Sequence, residues 1–174
     1  LGCNASFVAR SVDVEAQHLC DVLRRAAAHK GSAFIEIYQN CNVFNDLAFE
    51  SFRAKEVKAE RQLRVQHGKP MLFGAQQEKG LRVDPKTLQL EVVTMGENGV
   101  TEADVIVHDE TNSTLASMLA RMPFPKFPVA LGVLYAVSRP TYDATLREQR
   151  QNALKRQGKP DLQKLLESGN TWQV

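Results

Sequence analysis

Cysteine is scarce in this chain of 174 residues. There are three, Cys3, Cys20 and Cys41, odd in number and widely spaced. That excludes a self-contained CxxC…CxxC zinc site, argues against a secreted disulfide framework and fits a reducing cytoplasm. Long apolar runs are missing too. None approaches the roughly 20 residues of a membrane span, so a membrane role is not expected. No charged start followed by an apolar block marks a signal peptide. The chain opens on Leu1 rather than Met, which fits either processing or a piece of a longer protein. Charge of one sign is not in excess: the net charge of +2 is too small to argue for nucleic acid or an anionic membrane surface. There is no GxSxG elbow, no GxGxxG and no GxxxxGK[ST], so the chain has no phosphate cradle of its own. No internal repeat and no stretch of low complexity is present.

What is present suits a globular domain. Apolar residues make up 43% and charged residues 24%, enough for a sizeable core. Residues 5–10 read as a short strand. Asp13 is placed to cap a helix over 14–30, where Leu19, Val22, Leu23 and Ala26 form one apolar face. Arg24, Arg25 and Lys30 suit its C-terminal end, and Gly31 stops it. Residues 33–39 follow as a strand, and the near-continuous apolar run 33–37 predicts one covered on both faces. Strand, helix, strand in about 35 residues is a βαβ unit and implies a parallel sheet.

After residue 46 the pattern changes. Residues 47–55 form a short helix capped by Asn45 or Asp46. Residues 55–64 are charged, and exposed or extended. Leu63-Arg64-Val65, the turn His67-Gly68-Lys69-Pro70 and Met71-Leu72-Phe73 suggest a hairpin. Further strands are expected at 81–83, 88–93, 105–109 and 129–137, with a turn at 96–99. A helix spans 111–122, and Pro123, Pro125 and Pro128 stiffen the connector after it. Residues 143–167 are polar and helical, broken by Gly158 and Pro160, and read as an arm rather than a core element.

Cys41 is the residue on which a functional reading turns. The run Ala33-Phe34-Ile35-Glu36-Ile37 delivers it into a polar turn, and loops at the C-terminal ends of parallel strands carry chemistry. Spacing alone leaves two readings, a small buried packing residue or a ligand. A third, a thiol enzyme pairing Cys41 with His67 or His108, has nothing in the sequence to bring those groups together. His18 and His29 read as solvated or boundary residues of a helix. His108-Asp109, following a strand, reads as a cap for the next helix. Arg24, Arg25 and the charges of 147–159 are solvated faces.

The stretches Ala5-Ser6-Phe7-Val8-Ala9-Arg10, His18-Leu19, His29-Lys30-Gly31 and Glu36-Ile37-Tyr38-Gln39-Asn40-Cys41-Asn42-Val43-Phe44-Asn45-Asp46 resemble the beta subunit of 2-oxoacid:ferredoxin oxidoreductases, of the 2-oxoglutarate type (2-oxoglutarate synthase). Weaker matches continue through 64–74, Val107-His108-Asp109-Glu110 and Arg139-Pro140-Thr141-Tyr142. The resemblance implies an oxidoreductase that decarboxylates a 2-oxoacid with coenzyme A, giving acyl-CoA (succinyl-CoA from 2-oxoglutarate) and CO2 and reducing ferredoxin. It implies thiamine diphosphate with Mg2+ and a 4Fe-4S cluster in the whole enzyme, with Cys41 as one metal ligand of that cluster. It also implies an α/β fold: residues 1–50 as the C-terminal part of a thiamine-diphosphate-binding parallel-sheet domain, and 51–174 as a mixed α+β extension.

The departures from the family are as informative. The GDGD motif for diphosphate and magnesium is absent, as are the other cluster cysteines, so no thiamine diphosphate site is expected in this chain and it is expected to bind no cofactor by itself. Cys3 stands where the family has a small residue and is expected to pack. Gln17 stands where members carry Lys before His18-Leu19, so no substrate contact is carried over there. Half a parallel sheet leaves an unpaired edge, which calls for a partner: the missing half, the alpha subunit or a second copy. A non-catalytic assembly module that only docks protein is the alternative reading.

Overall fold

Four strands make the principal sheet, and the first two come from the expected βαβ unit. The computed structural model describes residues 1–170 and Trp172. β1 (Phe7–Val12), α1 (Ala16–Ala28) and β2 (Ala33–Tyr38) run in order, and β1 and β2 pair in parallel from Phe7↔Ala33 to Val12↔Tyr38. Two four-residue helices follow, α2 (Glu50–Arg53) and α3 (Lys58–Arg61), and then β3 (Gln62–Val65). A second sheet holds β4 (Leu72–Phe73), β5 (Lys79–Val83) and β6 (Leu90–Thr94), all antiparallel. After α4 (Ser113–Ala120), β7 (Val129–Ala136) returns to the first sheet, whose order is β2-β1-β7-β3. It lies antiparallel to β1 and parallel to β3, so the sheet is mixed rather than wholly parallel.

The alternation of β1 explains how this sheet buries both faces. Phe7 and Ala9 pack with Val22 of α1 and Val133 of β7. Val8 points the other way, into the core of Leu63, Ala130 and Leu134 with Leu115 and Leu119 of α4. Leu81 and Phe73 of the second sheet complete that core. Each such side chain contributes about 1.5–3 kcal/mol on burial. Arg10 ties the layers together: it pairs with Glu36 across the strand register and donates to the Ala120 carbonyl at the end of α4.

Two glycines are required by geometry. Gly132 has φ +124°, and a Cβ there would stand 2.6 Å from the Val65 carbonyl oxygen, where β3 and β7 meet. Gly31 has φ +130° and its missing Cβ leaves room for the Ser6 hydroxyl. It follows the helix rather than closing it, because α1 already stops at Ala28 with His29 extended.

Several expectations need correction. Asp13 does not cap α1; Glu15 holds that position, without a side-chain cap. Neither Asn45 nor Asp46 caps α2, whose N-cap position is held by Phe49. β2 is not covered on both faces: it is the sheet edge, and Phe34 and Ile37 are 57% and 41% exposed. Its apolar run suited a central strand, but the described residues supply no strand beyond it. Of residues 55–64, expected exposed or extended, Gln62–Arg64 are extended in β3, whereas Lys58–Arg61 form the helix α3.

The hairpin over 63–73 does not form. β3 and β4 belong to different sheets, because the intervening amides bond elsewhere: Gly68 N–H donates to the His108 carbonyl and Met71 N–H to the Ile106 carbonyl. Residues 105–109 therefore cross this segment with one bridge, Pro70↔Val107, instead of forming a strand. His108 is not a helix cap; Asn112 is, accepting from the Leu115 amide. Cys3 is exposed, not packed.

His108 is 1% exposed, with Nε2 2.8 Å from the Val133 carbonyl and Nδ1 buried without a partner. Burial lowers its pKa and that of His18. Both rings therefore take a proton more readily in the unfolded chain. Stability is full above the ordinary histidine value of 6.5 and falls as the pH drops through it. Thermal melts from pH 8 to pH 5, on the buffer scale, check this, and His108→Gln should flatten the profile. An unchanged slope in that variant rejects the assignment.

The described residues from Pro140 onward form a second compact unit. Thr141 caps α5 (Tyr142–Gln157), Gly158 ends it at φ +78°, and Asp161 caps α6 (Leu162–Leu166). Neither helix buries a residue, as the polar composition of 143–167 implied. Residues 171, 173 and 174, the end of the expected extension 51–174, lie outside the described residues.

Candidate functional site

β1 and β2 are parallel, so both deliver their C-terminal ends to the same edge of the sheet. Asp13 follows β1 there, and Asn40 and Cys41 follow β2. The Asp13 amide donates to the Tyr38 carbonyl (3.1 Å), and the Asn40 amide reaches Asp13 Oδ2 at 3.4 Å. Arg53 of α2 comes down on the same aspartate, Nε to Oδ1 at 2.9 Å. Both atoms are buried and that N–H is not aimed along the hydrogen-bond direction, so charge rather than a well-formed hydrogen bond holds the pair. Asp13 is thus a strut under the loop.

The loop itself is closed by asparagine chemistry. Asn40 accepts from the Leu47 amide through Oδ1 (2.8 Å) and donates through Nδ2 to Asp46 Oδ1 (2.9 Å). Asp46 Oδ1 accepts the same Leu47 amide at 3.0 Å. Across the middle, the Asn45 amide donates to the Cys41 carbonyl at 2.9 Å, which makes the one bridge Cys41↔Asn45. A six-residue span is drawn into a tight turn with the cysteine at its base.

Cys41 is a free, exposed thiol. Backbone amides of the turn lower its pKa, Phe44 first, then Val43 and to a lesser degree Asn45, while desolvation and the Asp46 charge work against them. Converging N–H groups stabilise a thiolate, as they do any anion held in a backbone concavity. The packing-residue reading of Cys41 does not survive this geometry. Cys3 and Cys20 are also exposed, and neither lies in a comparable turn. Iodoacetamide at neutral pH should therefore label Cys41 before Cys3 and Cys20, as read by peptide mass spectrometry over time. Earlier labelling of either of the others would show that the amides do not govern the thiol.

Around the cysteine the loop is apolar and bare. Val43 is 77% and Phe44 91% exposed, and Leu47 is exposed as well. Behind it stands an aromatic cluster, Tyr38, Phe49, Phe52 and Phe124, with ring centroids 5.0 to 5.7 Å apart. That spacing is typical of tilted and edge-to-face pairs and makes a stiff base for the turn.

The histidines do not assemble here. His108 is buried against β7, and His67 is exposed and accepts the Glu110 amide. His18 and His29 each contact a buried serine of the β1 region, Ser11 at 2.8 Å and Ser6 at 2.9 Å. They fasten α1 to the sheet, a role their helical spacing did not reveal. Among the described residues, no group of three His, Cys, Asp or Glu side chains could hold a metal ion. Cys41 can supply one ligand and no more.

Over its whole length the chain is 38% identical to the 2-oxoglutarate oxidoreductase subunit KorB of Mycobacterium tuberculosis. The chain is a relative of the beta subunits of 2-oxoacid:ferredoxin oxidoreductases. It spans about half of that curated relative, 47% of its length. Shorter matches join it to two further beta subunits, both named 2-oxoacid:ferredoxin oxidoreductase: 35% identity over 52 residues in Saccharolobus solfataricus and 40% over 47 residues in Aeropyrum pernix. These cover 17% and 15% of those proteins. No family model matches.

Among solved structures, the 2-oxoglutarate:ferredoxin oxidoreductase from Magnetococcus marinus, determined with 2-oxoglutarate, coenzyme A and succinyl-CoA bound, shares the fold. The TM-score is 0.54 over 95% of this chain and 41% of that one, at 19% identity. A mixed α/β architecture is therefore common to both chains.

Proposed function

We propose that this chain is the part of a 2-oxoacid:ferredoxin oxidoreductase beta subunit that supplies one thiolate ligand, Cys41, to a 4Fe-4S cluster. The observation that carries the reading is the free, exposed Cys41 thiol in the turn at the C-terminal end of β2, its pKa lowered first by the Phe44 amide and then by that of Val43. An iron–sulfur ligand must be a thiolate, and amide donors to its sulfur also tune a cluster's potential. The bound cluster would supply single-electron transfer. The chain's own part is to hold Cys41 ionised, to fix its direction through Asn40, Asp46 and Asp13, and to screen it with Val43 and Phe44.

The activity we assign to the whole enzyme is the oxidative decarboxylation of a 2-oxoacid, 2-oxoglutarate above others, with coenzyme A as acyl acceptor and ferredoxin as electron acceptor. Residues 1–50 belong to the thiamine-diphosphate domain on this reading, and 51–174 to the subunit's extension. The residues present do not fit thiamine diphosphate or its magnesium: there is no GDGD motif, and among the described residues no acidic cluster could hold the ion. That cofactor is left to the rest of the subunit, and no step of its chemistry is assigned to this chain. The partners are the remainder of the beta subunit and the alpha subunit. No helix of the described residues is long and apolar enough to cross a membrane. Together with three free thiols, this suits a cytoplasmic enzyme.

The deciding experiment joins this chain to the upstream half of the subunit, reconstitutes with iron and sulfide, and follows visible and low-temperature electron paramagnetic spectra. The bare edge of β2 favours one other reading, a module that only docks protein. On that reading the cluster forms equally well when Cys41 is replaced.

A further inference from the structure

A cavity of about 660 Å³ opens beside β3, within the range of roughly 300–1,000 Å³ usual for small-molecule sites. Four separate stretches of chain build its wall. Glu15 comes from the start of α1 and Lys58 from α3; Arg64 projects from β3, Lys69 from the segment before β4, and Glu102 from the turn beyond β6. Neither Cys41 nor any residue of its loop is part of it.

The charges of this wall are unbalanced. A single carboxylate oxygen, Glu15 Oε1, accepts from Lys58 Nζ at 2.8 Å and lies 3.5 Å from Arg64 Nη2. One acid therefore serves two cations. Lys69 adds a third cation that, unlike Lys58 and Arg64, takes part in no ion pair among the described residues. Against three positive groups stand two carboxylates, which leaves one net positive charge on a concave surface, where field lines concentrate.

Arg64 is held ready rather than neutralised. Its Nη2 donates to Gln62 Oε1 at 2.9 Å, and buried Gln62 is fixed in turn through Nε2 to the Phe52 carbonyl at 2.8 Å. The guanidinium is therefore aimed by a side chain that has no freedom of its own. Burial of this guanidinium outweighs the help it gets from Glu15, so its charge is removed from water without full compensation. An oriented, under-compensated arginine beside a free lysine is a pattern that recognises oxyanions: the planar fork binds two oxygens and the ammonium a third.

We infer that this cavity binds a small anion bearing phosphate or carboxylate groups, held by Arg64 and Lys69. Phosphate and carboxylate share this chemistry, so the probes must separate them. The inference does not depend on Cys41 or on the cluster.

Isothermal titration of the 174-residue chain with pyrophosphate and, separately, with glutarate tests it at constant ionic strength, at a protein concentration where sedimentation shows one folded species. Saturable single-site binding with a dissociation constant on the order of 1 mM or tighter is expected for at least one probe. Tighter pyrophosphate binding supports a phosphate-bearing ligand, and tighter glutarate binding a dicarboxylate. Lys69→Ala should weaken binding about tenfold or more, the usual scale of a charge-assisted contact. Lys69 is exposed, so this change leaves the core intact. Arg64→Lys keeps the charge but loses the fork and should weaken binding too, with thermal melts confirming the fold. Lys86→Ala, in the turn between β5 and β6, should change nothing. Absence of saturable binding by both probes, or equal affinity in Lys69→Ala and the unaltered chain, overturns the inference.

Discussion

If Cys41 is the proposed cluster ligand, Cys41→Ser should deprive the assembled beta subunit of its cluster. In a complex reconstituted with the upstream half, iron and sulfide, the visible absorbance and the low-temperature paramagnetic signal of the reduced cluster disappear. Ferredoxin reduction falls by about 100-fold or more, beyond the ~10–100-fold typical of losing a group that only supports a ligand. The reason is chemical. A serine hydroxyl is a hard donor that stays protonated at neutral pH, whereas iron–sulfur sites require a soft, ionised sulfur. The amides of Phe44 and Val43 help a thiol to ionise and cannot make a hydroxyl do so. Asn40→Ala should act in the same direction and more weakly, because it unties the Leu47 amide and Asp46 without removing the sulfur. A cluster with unchanged spectrum and potential in Cys41→Ser would end the ligand assignment.

Expressed by itself, the chain should self-associate, and it should become a single stable species when the upstream half is present. β2 offers an edge to which no strand is paired, and Phe34 and Ile37 stand exposed on its opposite faces. Beside them, Val43 and Phe44 extend the apolar surface. Edges of this kind invite pairing with another chain, and large bare patches mark interaction sites. Sedimentation of the chain alone and of the coexpressed pair reads the outcome. Phe44→Asp should weaken the pair by roughly 30-fold, the scale of losing an aromatic anchor in an interface. A monodisperse monomer that melts cooperatively, together with a pair indifferent to Phe44→Asp, would show that this surface is simply solvent-facing.

Much of this was legible in local pattern. The βαβ unit followed from the apolar run 33–37, the helical spacing of Val22 and Ala26, and the short connections between them. β1, α1 and β2 lie within a few residues of where pattern placed them. The helices at 113–120 and 142–157 were equally clear, since capping residues and turn breakers act over three or four positions. The exposed edge was implied by the resemblance together with the absent GDGD segment, and the bare Phe34 agrees with it.

By itself, then, the sequence determined the local elements, the position of Cys41 at a strand end and the kinship with ferredoxin-linked oxidoreductases. The tertiary structure alone decided the rest. β7 enters between β1 and β3, more than 60 residues away along the chain from β3, and only that insertion makes the sheet mixed and buries His108 against Val133. Met71 and Gly68 give their amides to residues 106 and 108, which dissolves the local hairpin. Asp13 serves Arg53 and Asn40 instead of its own helix, and the Asn45 amide closes the cysteine turn on the Cys41 carbonyl. The physical reason is the same in each case. A backbone donor or a charge takes whichever partner the fold brings close, and partners distant in sequence leave no periodicity to read.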